Sequence, residues 1–479
     1  MEASGSFPGG PPPSPRQVLA DLLDGVGYAP ALAEGLALTG SEPVLPSSFA
    51  VGTVAQATIA AVAAAAADLW TRRGGTAQEI AVDMRHAAQE FRSERYFTTD
   101  GKPPGRLWDA IAGTYRCGDG CWVRLHTNFP HHRDGILDLL GCAHDRAAVQ
   151  AHDRAAVQAA LDNWQANAFE DAVAARGLVA TMMRSADDWL ATPQGSALAG
   201  QPLIGLERIG EAPPQPLAAA GRPLAGLRVL DLTRIVAGPV GCKVLAAHGA
   251  EVMRIASPKL PFIAPLVVDY GRGKLSAYAD LDREDGRAAL RGLLRQADVF
   301  VQAYRPGGIA ARGFSPAEAA GLRPGIVYAS LCAYGDAGPW AARRGFDSLV
   351  QTASGINHAE AQAAGIDAPK ELPCQALDHA SGYLLALGVI AALKRRAEEG
   401  GSWHVRVSLA RSGRWLQSLG RVAGGLDCPD PAPGGDLFEE SESGFGKLRA
   451  IGHAARLSRT PARWTRPSVP LGTHQPRWP

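Results

Sequence analysis

Aromatic side chains are scarce in this 479-residue chain. Phe, Trp and Tyr make up 6% of it, so Ala, Val and Leu must fill most of the core. An excess of charge is missing too: 48 Lys and Arg against 47 Asp and Glu leave a formal net charge of +1. That balance excludes a strongly basic nucleic-acid binder and an acidic solvating tail, so no nucleic-acid partner is expected. No basic stretch followed by an apolar core opens the chain, so no signal peptide is expected. The most apolar window, 54–67, is interrupted by Gln56 and Thr58. It is shorter than the ~20 residues of a membrane span, reads as a buried helix, and predicts no membrane partner. The 7 cysteines are odd in number and show no regular framework of pairs. That usage fits a reducing compartment and predicts a cytoplasmic protein. Common catalytic signatures are lacking as well. Thr233-Arg-Ile-Val-Ala-Gly-Pro239 has one glycine where a dinucleotide turn needs three, and no Walker loop, His-Glu-x-x-His or Gly-x-Ser-x-Gly occurs.

What is there divides near the middle. The Pro-rich stretch within 211–222 lacks amide donors for helix or central strand and reads as a linker. Beyond it the pattern alternates. Strands are predicted at 227–232, 251–255, 298–302 and 326–331, with helices at 238–248, where Gly249 suits the C-cap, and 285–296. Alternation of this kind implies an α/β fold with a doubly wound parallel sheet, whose ligands bind beyond the carboxyl ends of the strands. Residues 1–17, rich in Gly, Pro and Ser, read as a disordered N-terminus.

Two repeats occur. The octapeptide Ala143-His-Asp-Arg-Ala-Ala-Val-Gln150 recurs at once as 151–158 and carries no evident function. The stretch 56–84 resembles 381–409: each has an Ala/Leu-rich helix, a pair of arginines, a pair of glycines and a short alternating strand (80–84 or 405–409). Cys117 and Cys121 lie close to His126, His131 and His132. A zinc site is one reading; a β-hairpin turning at Gly118-Asp119-Gly120 is the other.

Ala376-Leu-Asp-His379 opens the second long helix, with Asp378 at a predicted N-cap. Capping is the default role for such an Asp. A nucleophilic carboxylate is the alternative, since helix-start amides favour negative charge. Thr53 holds the corresponding place in the first repeat; it can cap but cannot form an acyl anhydride.

Pro223-Leu-Ala-Gly-Leu-Arg-Val-Leu-Asp-Leu-Thr-Arg-Ile-Val-Ala-Gly-Pro239, Ala297-Asp-Val-Phe-Val-Gln-Ala-Tyr-Arg-Pro-Gly307, Tyr334-Gly-Asp-Ala-Gly-Pro339, Arg344-Gly-Phe-Asp-Ser-Leu-Val-Gln351 and 378–409 occur in an order and spacing that resemble the large domain of family III CoA-transferases, the CaiB/BaiF type. The tail, 443–450 through 471–474, resembles that family's C-terminal end, and 115–123 its small-domain hairpin. The resemblance implies 18–98 as a partial large-domain segment of a degenerate first copy. It implies 99–210 as a small α+β domain, 223–434 as the CoA-binding large domain, and 435–479 as a tail returning to it. It also implies Asp378 as nucleophile, with coenzyme A entering as substrate on an acyl-CoA. Val236, Lys274, Arg305, Arg312, Arg344 and Phe346 are implied along the CoA path. A carboxylic acid is the acceptor, no metal is required, and the assembly is a homodimer. Two other readings accompany the transferase. One is a 2-methylacyl-CoA racemase, whose relatives carry His where Phe346 stands and Phe cannot act as base. The other is a degenerate CoA-binding subunit, which Thr53 favours.

Overall fold

The computed structural model describes residues 10–144 and 151–479, and the side chains of all these but 151–153. Part of the octapeptide repeat and residues 1–9 of the expected disordered N-terminus therefore fall outside the described residues. The remainder of 1–17 departs from expectation. Ser14 accepts the Gln17 N–H at 3.2 Å and caps helix Pro15–Asp24. Val18, Leu19, Leu22 and Leu23 give that helix one apolar face, which is buried.

The principal sheet comprises β1 (Gly205–Gly210), β2 (Arg228–Leu232), β3 (Glu251–Ala256), β4 (Lys274–Tyr278), β5 (Val299–Gln302), β6 (Val327–Cys332) and β7 (Ser402–Ser408). Their spatial order is β4-β3-β2-β5-β6-β7-β1. All neighbours are parallel except β1, which pairs antiparallel with β7. β5 is buried throughout, as a strand covered on both faces requires. The strand order reverses between β2 and β5, so their carboxyl ends diverge into a crevice.

Two long helices sit in one hydrophobic core: α1 (Val51–Arg72) and α3 (Ala376–Glu399). By length and composition both suffice to cross a membrane, yet their most apolar stretches are 89% and 100% buried in protein. α1 is longer than its apolar window: Val51-Gly-Thr53 precede it and Asp68-Leu-Trp-Thr-Arg72 follow it within the helix. A third helix, α2 (Ala237–Ala247), follows β2 and packs on α3. The approach is close because both helices carry a glycine at the crossing. A Cβ on Gly382 would stand 2.6 Å from the Ala237 carbonyl oxygen, and one on Gly241 2.7 Å from that of Gly382.

The repeated unit is visible as structure. After α1 come strand Ile80–Asp83 and helix Met84–Glu90; after α3 come β7 and helix Leu409–Ser418. Asp83 and Ser408 cap the two shorter helices through the amide three residues on. β7 starts before the expected 405 because Ser402 and Trp403 pair with β1.

Residues 99–210 do not behave as one body. Strands Gly113–Arg116, Trp122–Leu125 and Ala180–Met182 form a separate sheet over their own core, whereas Trp189, Leu198 and Ile204 belong to the main core and β1 to the main sheet. The tail 435–479 likewise serves both halves. Ala455–Leu457 pairs with Ile80–Asp83, while His474 donates its amide to the Ser276 carbonyl of β4 at 2.7 Å.

Candidate active site

Beyond β2 the chain turns sharply. Ile235 adopts φ 72°, which β-branched residues rarely do, and Val236 leads into α2. The turn aims the first amide of α2, that of Ala237, at the Asp378 carboxylate, on which it forms a hydrogen bond. The Gly241–Gly382 crossing, one turn further along each helix, holds the two helix starts together. Asp378 is thus set against the positive end of a neighbouring helix.

Asp378 is not the N-cap of α3. Gln375 is, and Asp378 is the third helical residue. Capping falls to Asp347, at the start of helix Asp347–Ala353: its carboxylate accepts the Asp378 N–H at 2.8 Å and also the Leu377 N–H. Gln351 donates to the same carboxylate. The first repeat has the same device. The Glu42 carboxylate accepts the Thr53 N–H at 2.6 Å and that of Gly52. An outside carboxylate serves the helix start in both halves, and only in the second does this leave an acidic side chain free for other work.

Asp378 is 8% exposed and lines a cavity of about 440 Å³ at the sheet's switch point. Burial, and then the charges of Asp347 and Glu94, push its carboxyl well above the usual carboxylate range; the Ala237 N–H works the other way. Burial pushes Asp347 up to about 6. Two like charges side by side resist joint ionisation, so the pair gives up its last proton above the ordinary range.

The structure brings most of the expected residues together. Val236, Arg305, Arg312, Arg344 and Phe346 line the cavity with Asp378. Arg312 is held by Asp282 at 2.8 Å, Arg344 donates to the Gly177 carbonyl at 2.8 Å, and Arg305 lies exposed at the rim. Lys274 is the exception. Its ammonium is buried, 2.8 Å from the Asp231 carboxylate and 2.9 Å from the Pro239 carbonyl, and it does not line the cavity. A charge taken out of water needs such partners, and Lys274 is spent on Asp231.

Three further cations, Arg234, Lys259 and Arg343, line the cavity, and no sequence motif marks them. Arg234 stands in the turn after β2, a turn without the glycine pattern of a dinucleotide site. The zinc reading does not hold. Cys117 and Cys121 close the hairpin through a backbone bond of 2.8 Å, with Gly120 at φ 81° in the turn. No cluster of three metal-ligating side chains forms among the described residues. The histidines go elsewhere. His126 stacks on Phe346 with ring centroids 3.8 Å apart, and His131 and His132 line the cavity. Closeness in sequence to the cysteines does not bring them together in space as ligands among the described residues.

A sequence profile of CoA-transferase family III matches residues 24–200 and 224–429. An acetyl-coenzyme A transferase of Hypoxylon pulicicidum is 38% identical over 194 residues, covering 40% of this chain and 33% of that protein. A probable fatty acyl-CoA transferase of Mycobacterium tuberculosis is 34% identical over 225 residues, 43% of this chain and 57% of that one. An acyl-CoA transferase of Gibberella moniliformis is 29% identical over 420 residues, 79% of this chain and 73% of that one. The chain therefore spans between a third and somewhat over half the length of the first two relatives.

Proposed function

This chain belongs to CoA-transferase family III, and from that membership we propose that it moves CoA from an acyl-CoA to a carboxylic acid through covalent intermediates on Asp378. The observation that carries the proposal is the meeting of a buried Asp378 carboxyl and the Ala237 N–H in an arginine-lined cavity.

Each step balances. An oxygen of the Asp378 carboxylate attacks the thioester carbonyl, and the CoA thiolate leaves a mixed anhydride. The thiolate attacks the Asp378 carbonyl of that anhydride, releasing the donor acid and leaving an aspartyl-CoA thioester. The acceptor carboxylate displaces CoA in a second anhydride, and the returning thiolate attacks the acceptor's carbonyl, freeing Asp378 and the new acyl-CoA. Anhydrides hydrolyse readily, so the chemistry needs a site from which water is excluded. Burial of Asp378 meets that need. Arg305, Arg312 and Arg344 are suited to the phosphates of CoA. Val236 and Phe346 supply apolar wall.

Acyl-CoA with hydroxylamine is the test. The expected product is a hydroxamate at Asp378, seen by mass spectrometry. D378A should lose at least about 10³-fold in transfer rate, the scale on which losing a covalent nucleophile acts. Wild-type transfer by D378A overturns the proposal, as does deuterium entry at the α-carbon without acyl exchange, which marks racemisation.

A further inference from the structure

His132 is the third residue of helix Pro130–Leu140 and lines the cavity that holds Asp378, Phe346 and Arg344. It is 3% exposed, and its Nδ1 is buried without a hydrogen-bond partner. Buried polar atoms lacking partners are uncommon and call for an explanation. Burial, then the charges of His131, Arg344 and Arg234, hold its pKa down at about 3, so the ring is neutral at physiological pH. A neutral imidazole carries one N–H. An orphaned buried donor is rarer than an under-used acceptor, which assigns the proton to Nε2 and leaves Nδ1 bare.

The covalent route creates a demand for a donor. When Asp378 attacks, negative charge grows on the thioester oxygen, and donors aimed there lower the barrier. Several other donors of the lining are already engaged: Arg234 on the Pro261 carbonyl, Lys259 on Asp280 and Arg343 on Asp171. The Ala237 N–H is on Asp378 itself, an Arg344 amino group is on the Gly177 carbonyl, and Phe346 has no polar hydrogen. A neutral donor has a further merit: an imidazolium in the same cavity would attract the Asp378 carboxylate and blunt its attack.

We infer that His132, through Nε2–H, donates a hydrogen bond to the acyl carbonyl oxygen and stabilises the oxyanion formed on attack by Asp378. The inference rests on the covalent reading proposed above. No bond is made or broken at the imidazole, and its proton stays in place throughout.

His132→Ala and His132→Gln, beside wild type, test it. Each is incubated with acetyl-CoA or a longer acyl-CoA in hydroxylamine, and the rate of Asp378 hydroxamate formation is read by mass spectrometry. CoA affinity, read by calorimetry, reports folding and binding. The expected result is a loss of about 10²–10³-fold in trapping rate for His132→Ala, the scale of one oxyanion donor. CoA affinity should stay within about twofold, and His132→Gln, which keeps an N–H, should recover part of the rate. Trapping by His132→Ala at the wild-type rate overturns the inference and leaves the covalent reading standing. A loss of CoA affinity matching the loss of rate overturns it too, since it marks a binding wall. Absence of hydroxamate in wild type overturns the covalent reading and this inference together.

Discussion

Asp347 holds the Asp378 amide at 2.8 Å while its charge opposes ionisation of the Asp378 side chain. The two roles separate under titration. The covalent attack proposed above needs Asp378 as carboxylate, and both carboxyls lie above their ordinary range. The transfer rate should therefore fall on the acid side as the pair takes up its proton. Folding responds in the opposite sense. Asp347 is pushed up from 3.8 to about 6 on folding, so the stability it lends is complete below the unfolded value and is lost as pH rises through the folded one. Asp347→Asn keeps an oxygen for the amides and removes the charge. Its acid limb in a pH–rate profile should move to lower pH, and its thermal stability should lose dependence on pH across that window; an unmoved limb would contradict the coupling. Lys274 teaches a different lesson about single residues. A basic residue at the right place in sequence was expected along the CoA path, yet strand alternation turns it inward onto Asp231.

At the level of elements, the active geometry depends on two helices meeting where both are glycine. Gly382→Ala would place a methyl against the Ala237 carbonyl and Val240. Backbone has to shift, at a cost of about 1–3 kcal/mol, and the shift moves the Ala237 N–H off Asp378. Transfer activity should drop by more than the lost stability explains; chemical denaturation and kinetics on the folded fraction would show it, and unchanged kinetics would refute it. The elements themselves were largely legible. β2, β3, β5 and β6 each lie within a residue or so of the runs read as strands, since buried parallel strands are continuous apolar stretches bounded by turns. The caps were not legible. Asp347 reaches α3 from the start of another helix and Glu42 reaches α1 from the segment before it, 11 residues from Thr53, and no N-cap pattern records that. Nor does spacing disclose that His131 and His132 line a cavity built mostly from the other half of the chain, because adjacency to two cysteines suggests metal instead.

At the level of the whole molecule, one hydrophobic core runs through both halves: Val54, Ile59 and Leu69 share it with Leu384, Leu387 and Leu393. The linker between the halves is gripped as well. Arg73 donates to the carbonyls of Ala218, Pro223 and Ala225, and the Trp70 indole to that of Ala220. A protease site engineered into 211–222 should therefore yield two fragments that co-elute under native conditions and part only in denaturant. Fragments that separate in native buffer would show that the shared core does not hold the halves together. The tail extends this interdependence. Ala455–Leu457 supplies the third strand beside Ile80–Asp83, a partner made near the opposite end of the sequence. Pairings so remote close slowly, because loop entropy is spent before any contact repays it. Until then the early strand keeps a bare edge, open to pairing with another nascent chain. Refolding yield should accordingly depend on protein concentration, and a cell expressing this chain would gain from a chaperone that shields residues 80–83 while the rest is translated.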